Sequence, residues 1–394
     1  MALENCLGFF SVLFSAPALP GRITDVPCLR SLALSILGLR FTMALFKMNW
    51  EGQTQLSNTT GSSKQRMERR FINELQDGEV IDQIFRASEK QLRTNRNGNL
   101  YLQLRLSDRT GSLTAMLWNA RQNQFDSFAN GDFLRVKGTA QLYNGGMQIL
   151  CKEIEPGDER GIQMADFETL SLIDIEKMLV RIAELLRSME NADLRNLADC
   201  FWLNERFLEG FRQAPAGVKN HHAFQGGLLQ HVLSLMELVD KVTPLYPMID
   251  RDLLLMGAFL HDIGKIHELT YQPDLGYSDE GQLLGHLVLG IRLLDEMIVA
   301  TERQSGEPFP ADLALHLRHL ILSHHGEYDF GSPKLPMTVE AIALHLLDNL
   351  DSKIYSFQQL IDDDANKSSH WTPYQPALNR KIYKGFRRDS AIGE

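Results

Sequence analysis

The sequence predicts a multidomain protein in which an all-β barrel precedes an all-α helical bundle. Three observations predict it. The hydrophobic period changes from two to about 3.6 residues near Gly157. Before that point, short alternating segments are punctuated by Gly, Asn and Asp turns. After it, helical patterning runs on and contains eleven of the 12 histidines, between His221 and His345. At 394 residues the chain has room for at least two domains. Its 44% hydrophobic and 23% charged content excludes collagen-like, mucin-like and wholly disordered classes.

Residues 1–66 stand apart from this plan. Cys6 to Phe14 is an apolar run followed by Ala-Pro-Ala, which imitates a signal peptide, but Glu4 stands where a basic segment is expected. Leu29 to Met48 is interrupted by Arg30, Arg40 and Lys47, which leaves no clean stretch of the ~20 residues that span a bilayer. No transmembrane helix or membrane partner is expected. The polar run QTQLSNTTGSSKQR reads as a linker, so the segment is expected to be a dispensable, disordered or mis-started leader. The four cysteines lie far apart with no C-x-x-C pair, which supports neither a disulfide framework nor a cysteine zinc site and fits a reducing cytoplasm.

The net charge of -10 is uneven: residues 1–66 carry +3, residues 67–156 carry +1, and residues 157–394 carry -14. Bulk charge therefore does not point to nucleic acid. Any such reading must rest on local features.

Residues 67–156 supply some. EVIDQIFRASEKQLRT, LYLQLRLSDRT, SLTAMLWNA, DFLRVKGTAQLY and MQILCKEIEP read as five strands, with a short helical segment, RQNQFDSF, between the third and fourth. That is the layout of a small OB barrel. Such barrels grip single strands with basic and aromatic side chains, for which the candidates are Lys90, Arg93, Arg96, Arg105, Trp118, Arg135, Lys137 and Tyr143.

Residues 157–362 read as a bundle. Apolar residues recur at i, i+3 and i+4 through ADFETLSLIDIEKMLVRIAELLRSM, NADLRNLADCFWLNERFLEGF, GGLLQHVLSLMELVDKV, RDLLLMGAFLHDIGK, GQLLGHLVLGIRLLDEMI, DLALHLRHLILSHH and TVEAIALHLLDNLDSKIYSF. No P-loop, dinucleotide or serine-hydrolase motif is present. Several histidines sit within apolar stretches, where an unpaired imidazole is costly. His261-Asp262 closes the apolar helix LLLMGAFL, and Gly264 can end that helix and leave both side chains at its mouth. With His231 one helical segment earlier and Asp348 three segments later, mixed imidazole and carboxylate ligands suit Mn²⁺, Fe²⁺, Co²⁺ or Zn²⁺ in a hydrolytic site.

At these residues the chain resembles the HD superfamily of metal-dependent phosphohydrolases, whose H…HD…D pattern is met by His231, His261-Asp262 and Asp348. The strings HHAFQGGLLQH, FLHDIGK, GQLLGH, SHHGEYDFGSP and HLLDNLDSK, in that order after an OB barrel, are similar to the YhaM family of 3′-to-5′ exoribonucleases from about Phe71 to Gly385. The HD-GYP phosphodiesterases share HDIGK, but here Glu327 is followed by Tyr-Asp-Phe-Gly-Ser-Pro.

The resemblance implies a first divalent metal, Mn²⁺ foremost with Co²⁺, Fe²⁺ or Zn²⁺ open, on His231, His261, Asp262 and Asp348. Asp262 would bridge to a second ion on His286, His324 and His325. Adjacent helical residues diverge by ~100°, so His324 and His325 can share a centre only where the helix ends, as Gly326 permits. Lys265 would offset phosphoryl charge beside Asp262, and His221 and His222 would contact phosphate or support the ligands. His267, His316, His319, His345 and Asp351 are expected as helpers or surface residues. The implied reaction is hydrolysis of single-stranded RNA, with single-stranded DNA and a homo-oligomer left open, to nucleoside 5′-monophosphates by a metal-activated water. Phosphohydrolysis of small nucleotides or cyclic dinucleotides, and RNA binding without catalysis, are the alternatives. Residues 363–394 interleave Arg380, Lys381, Lys384, Arg387 and Arg388 with Tyr374, Tyr383 and Phe386, a basic and aromatic tail suited to nucleic acid.

Overall fold

The computed structural model describes residues 69–143, 146–158, 162–218, 224–271, 275–362, 364, 366 and 369–385. The leader, His221, His222 and the last nine residues lie outside this set.

Period-two alternation yields five strands: β1 (Val80–Thr94), β2 (Leu100–Asp108), β3 (Gly111–Trp118), β4 (Phe133–Tyr143) and β5 (Gly146–Pro156). They close into a barrel in the order β1-β2-β3-β5-β4, with β3 and β5 parallel and the other pairs antiparallel. β1 is long enough to serve two neighbours. Its first half pairs with β4 and its second with β2, across an irregularity between Ser88 and Gln91 where Glu89 takes a φ of 50°. Phe85, Leu102, Leu104, Leu106, Leu134, Val136 and Ile149 point inward and are fully buried, so the barrel is filled by side chains. The predicted short helix is α1 (Gln122–Asp126).

Beyond the barrel, the connector docks Phe167 edge-on against Phe133, and the Asp166 carbonyl accepts from the Arg109 N–H. Then come α2 (Leu172–Arg187), α3 (Ala192–Leu203), α4 (Glu205–Gln213), α5 (Gly227–Val242), α6 (Arg251–Leu260) and α7 (Lys265–Glu268). A two-stranded ribbon, Leu269–Thr270 with Gly276–Tyr277, leads to α8 (Asp279–Ser305), α9 (Ala311–Ser323) and α10 (Val339–Asp362). The pattern NADLRNLADCFWLNERFLEGF reads as one helix but forms two. Asn204 ends α3 in an extended conformation and its side chain accepts the Phe207 N–H to start α4, a capping role that periodicity does not register.

Every residue of α6 from Asp252 to Leu260 is buried, which makes this helix the centre of the bundle. Its Phe259 takes Phe201, Phe207 and Phe211 edge-on, and Phe207 stacks on Phe211. The end of α6 therefore lies deep in the domain. Among the described residues, no helix is long and apolar enough to cross a membrane.

Candidate metal centre and nucleic-acid face

His261 is the C-cap of α6, and Asp262 follows in a tight turn before α7, so burial of the helix carries both side chains into the interior. His231 comes from α5, His286 from α8, His324 and His325 from the end of α9, and Asp348 from α10. Two glycines shape the approach. A Cβ on Gly264 would stand 1.9 Å from the His286 carbonyl oxygen, so this glycine permits close passage of α8; its φ of -63° is ordinary helix, and α6, which it is expected to end, stops earlier at Leu260. Gly285 takes φ 73° and ψ 160° inside α8, a kink immediately before His286.

The ligand atoms form two groups around one carboxylate. Asp262 Oδ2 lies 3.3 Å from His261 Nε2 and 3.8 Å from His231 Nε2, while Oδ1 lies 3.5 Å from His286 Nε2 and 3.6 Å from His324 Nε2. His231 Nε2 is 3.2 Å from Asp348 Oδ1, and His286 Nε2 is 3.2 Å from His325 Nε2. Within His231, His261 and Asp262, and again within His286, His324 and His325, all ligand atoms fall within 4.8 Å of one another. α9 stops at Ser323 and Gly326 takes φ 81°, which brings both adjacent histidines to the centre.

The opposite edge of each ring is engaged as well. Nδ1–H of His231 donates to Asp351, that of His261 to the Ala258 carbonyl, and that of His324 to the Ile321 carbonyl. His286 donates to Glu268 and His325 to the Phe330 carbonyl. All five rings thus carry a proton on Nδ1 and turn Nε2 inward, the orientation that metal-binding histidines take. Asp262 Oδ1 is buried without a hydrogen-bond partner among the described residues. Converging Nε2 atoms and an orphaned buried carboxylate oxygen fit divalent cations.

Electrostatics follow from burial and pairing. Burial opposes ionisation of Asp262, but Lys265, with Nζ 2.6 Å from Oδ2, and His261 hold its carboxyl well below the usual range. Burial opposes the charge on Lys265 too, and Asp262 outweighs it, so the amine titrates above its ordinary value. Burial lowers His231, yet hydrogen bonds with Asp348 and Asp351 raise it to about 9. Burial pushes His324 down to about 4 and His325 downward as well.

Sequence reasoning misses Glu268, whose Oε1 takes both the imidazole and the backbone N–H of His286. Its partner lies 18 residues on, beyond the reach of helical spacing. Asp351, expected as a helper, binds Ser234 and His231. His345 donates to the His324 carbonyl, His319 accepts the Met337 N–H, and His267 and His316 are exposed.

The barrel candidates separate. Arg93, Tyr101 and Trp118 are register partners across β1, β2 and β3, with the Tyr101 and Trp118 rings 5.1 Å apart and Trp118 49% exposed. Arg105 lies on the same outward face of β2 as Tyr101, and Tyr143 is exposed at the end of β4. Strands 2 and 3 and the loops beside them form the ligand face of OB folds. Tyr101 is absent from the sequence-based candidates, although its place four residues before Arg105 puts it on the same face by period two. Lys137 and Arg135 are on β4, ion-paired with Glu153 and Asp82, away from this row. Lys90 turns to α1, where its amine donates to the Phe125 and Phe128 carbonyls and sits over both rings. Its charge serves the fold.

Comparison with known families matches residues 85–156 to the OB-fold nucleic acid binding domain and residues 228–353 to the HD domain. The 3′-5′ exoribonuclease YhaM of Bacillus velezensis is 34% identical over 309 residues, 78% of this chain and 95% of that one. That of Bacillus subtilis is 34% identical over 311 residues, with the same coverage. The YhaM protein of a Geobacillus species is 35% identical over 292 residues, 73% of this chain and 86% of its own. An OB barrel, an HD-type bundle and this degree of identity along nearly the whole length of the relatives place the chain in the YhaM family of 3′-5′ exoribonucleases.

Proposed function

We propose that this protein is a metal-dependent 3′-to-5′ exoribonuclease that shortens single-stranded RNA to nucleoside 5′-monophosphates in the cytoplasm. The observation that carries this reading is the division of Asp262, one oxygen toward His231 and His261, the other toward His286 and His324. His231, His261, Asp262 and Asp348 would hold one divalent ion, and His286, His324 and His325 a second. The mixed nitrogen and oxygen donors suit Mn²⁺, Fe²⁺, Co²⁺ or Zn²⁺, and Mn²⁺ is put foremost by the family resemblance. Bound ions supply Lewis acidity toward phosphoryl oxygens and toward water.

The chain's own residues do the positioning. Asp351, Glu268 and three backbone carbonyls lock the rings, so little reorganisation is needed as charge develops. Lys265 carries a permanent positive charge beside Asp262 and offsets negative charge on the phosphoryl group. The row Arg93, Tyr101 and Trp118 stacks bases and pairs phosphate. Single-stranded DNA offers the same faces and is a second candidate substrate.

Incubation with Mn²⁺ and a 5′-labelled single-stranded RNA tests the reading. Products that shorten progressively from the 3′ end are expected. Release of phosphate from mononucleotides with intact RNA would assign the site to small nucleotides, and binding without cleavage would make it a non-catalytic RNA-binding protein.

A further inference from the structure

The helical part of the chain is strongly acidic, with 16 Lys/Arg against 32 Asp/Glu over residues 157–362. Residues 365–388 reverse this, with six Lys/Arg and no acidic residue. Part of that segment is a hairpin. Trp371 bridges Tyr383, Gln375 bridges Arg380, and Asn379 turns the chain with a φ of 53°. The hairpin is anchored from one side. Ile382 and Thr372 are buried, the Thr372 N–H donates to the Ile382 carbonyl, and the Lys384 amine donates to Asp364 and to the Asn366 carbonyl.

Alternation along the two arms sends their neighbours outward. Trp371 is 51% exposed and Tyr383 41%, with ring centroids 5.0 Å apart, and Tyr374 near the turn is 51% exposed. Lys381 shares the outward face of Tyr383, and Arg380 is exposed beside it. A hairpin fastened at its inner face thus presents paired aromatic rings and cations to solvent on an otherwise acidic domain. Rings that accept a stacked base, next to cations that accept phosphate, form a single-strand binding surface.

We propose that this hairpin is a contact for single-stranded RNA separate from the barrel, with Trp371, Tyr374 and Tyr383 stacking on bases and Arg380 and Lys381 taking phosphates. The proposal rests on the RNA substrate proposed above. The hairpin follows α10, which also carries Asp348; from Asp348 to Asp362 that helix runs ~21 Å. The surface therefore engages nucleotides away from the scissile bond and sets affinity for long strands.

The test uses the full chain and three variants: Trp371→Ala, Arg380→Glu combined with Lys381→Glu, and Trp118→Ala on the barrel as comparison. The anchors Thr372, Ile382 and Lys384 are left in place in every hairpin variant. Affinity for a long oligouridylate is measured with EDTA present, and hydrolysis of the same strand and of a dinucleotide with Mn²⁺. Each hairpin variant is expected to weaken long-strand binding about ten-fold, with unchanged dinucleotide turnover. The charge-reversal variant should also flatten the salt dependence by about 1.4 in the log-log slope, for two lost phosphate contacts. Wild-type affinity in both hairpin variants, with RNA still hydrolysed, would overturn the proposal and leave the exoribonuclease reading intact. Failure of the unaltered protein to bind or cut RNA would overturn both. Dissociation of an oligomer in the variants, with RNA affinity unchanged, would make the hairpin a contact between copies of the chain and equally overturn it.

Discussion

Glu268 holds His286 twice: its Oε1 accepts the His286 backbone N–H at 3.0 Å and the imidazole Nδ1–H at 3.1 Å. One carboxylate thus sets both the path of the chain after the Gly285 kink and the direction of Nε2. Burial opposes its charge, but His286 outweighs that and keeps it ionised below the ordinary glutamate range. Replacing Glu268 with Ala should weaken binding at the second ion position by about 10- to 100-fold and leave the first nearly unchanged. Titration with Mn²⁺, followed by electron paramagnetic resonance of the free ion, should show stoichiometry falling from two to one. Two tight ions in the variant would refute this role.

His231 predicts a pH dependence. In the metal-free protein its pKa near 9 leaves the ring doubly protonated at neutral pH, with Asp351 and Asp348 as acceptors. A ligating Nε2 must lose its proton, so ion binding at pH 7 should release about one proton and affinity should climb with pH until about 9. Calorimetry in buffers of different ionisation enthalpy reads this directly. Heats that do not vary with buffer would contradict it.

Gly264→Ala should be severe although alanine suits its helical backbone. The added carbon would stand 1.9 Å from the His286 carbonyl and 2.6 Å from the Gly290 nitrogen, both backbone atoms. A loss of about 3 kcal/mol is expected. Chemical denaturation should show it, together with weaker ion binding as α8 moves outward. Unchanged stability would mean that α8 shifts at no cost.

On the barrel, Tyr101→Ala and Trp118→Ala should each weaken long single-stranded RNA by about 1 to 3 kcal/mol while sparing a minimal phosphodiester. Lys137→Ala should change little, because its amine is already paired with Glu153 at an exposed site. Lys90→Ala should lower the melting temperature more than the RNA affinity, since it caps α1. Filter binding beside thermal denaturation separates the two effects.

Period two by itself marks all five strands, period 3.6 marks the bundle, and the interval from His231 to Asp348 contains every candidate ligand that converges on the centre. Such features are local, because a strand or helix declares its buried face by repetition and a polar residue in an apolar stretch demands a partner. Tertiary structure alone decides which candidates act together. Lys90 and Arg93 are near neighbours in the chain, yet the irregularity in β1 sends one to α1 and the other to the row with Tyr101 and Trp118. Glu268 becomes recognisable only once the Gly285 kink has brought His286 against it. Gly264, expected to end α6, acts through lack of volume, a property that exists only when a second chain segment passes within reach. Sequence carries chemistry and period; pairing between distant segments depends on close packing of the whole domain.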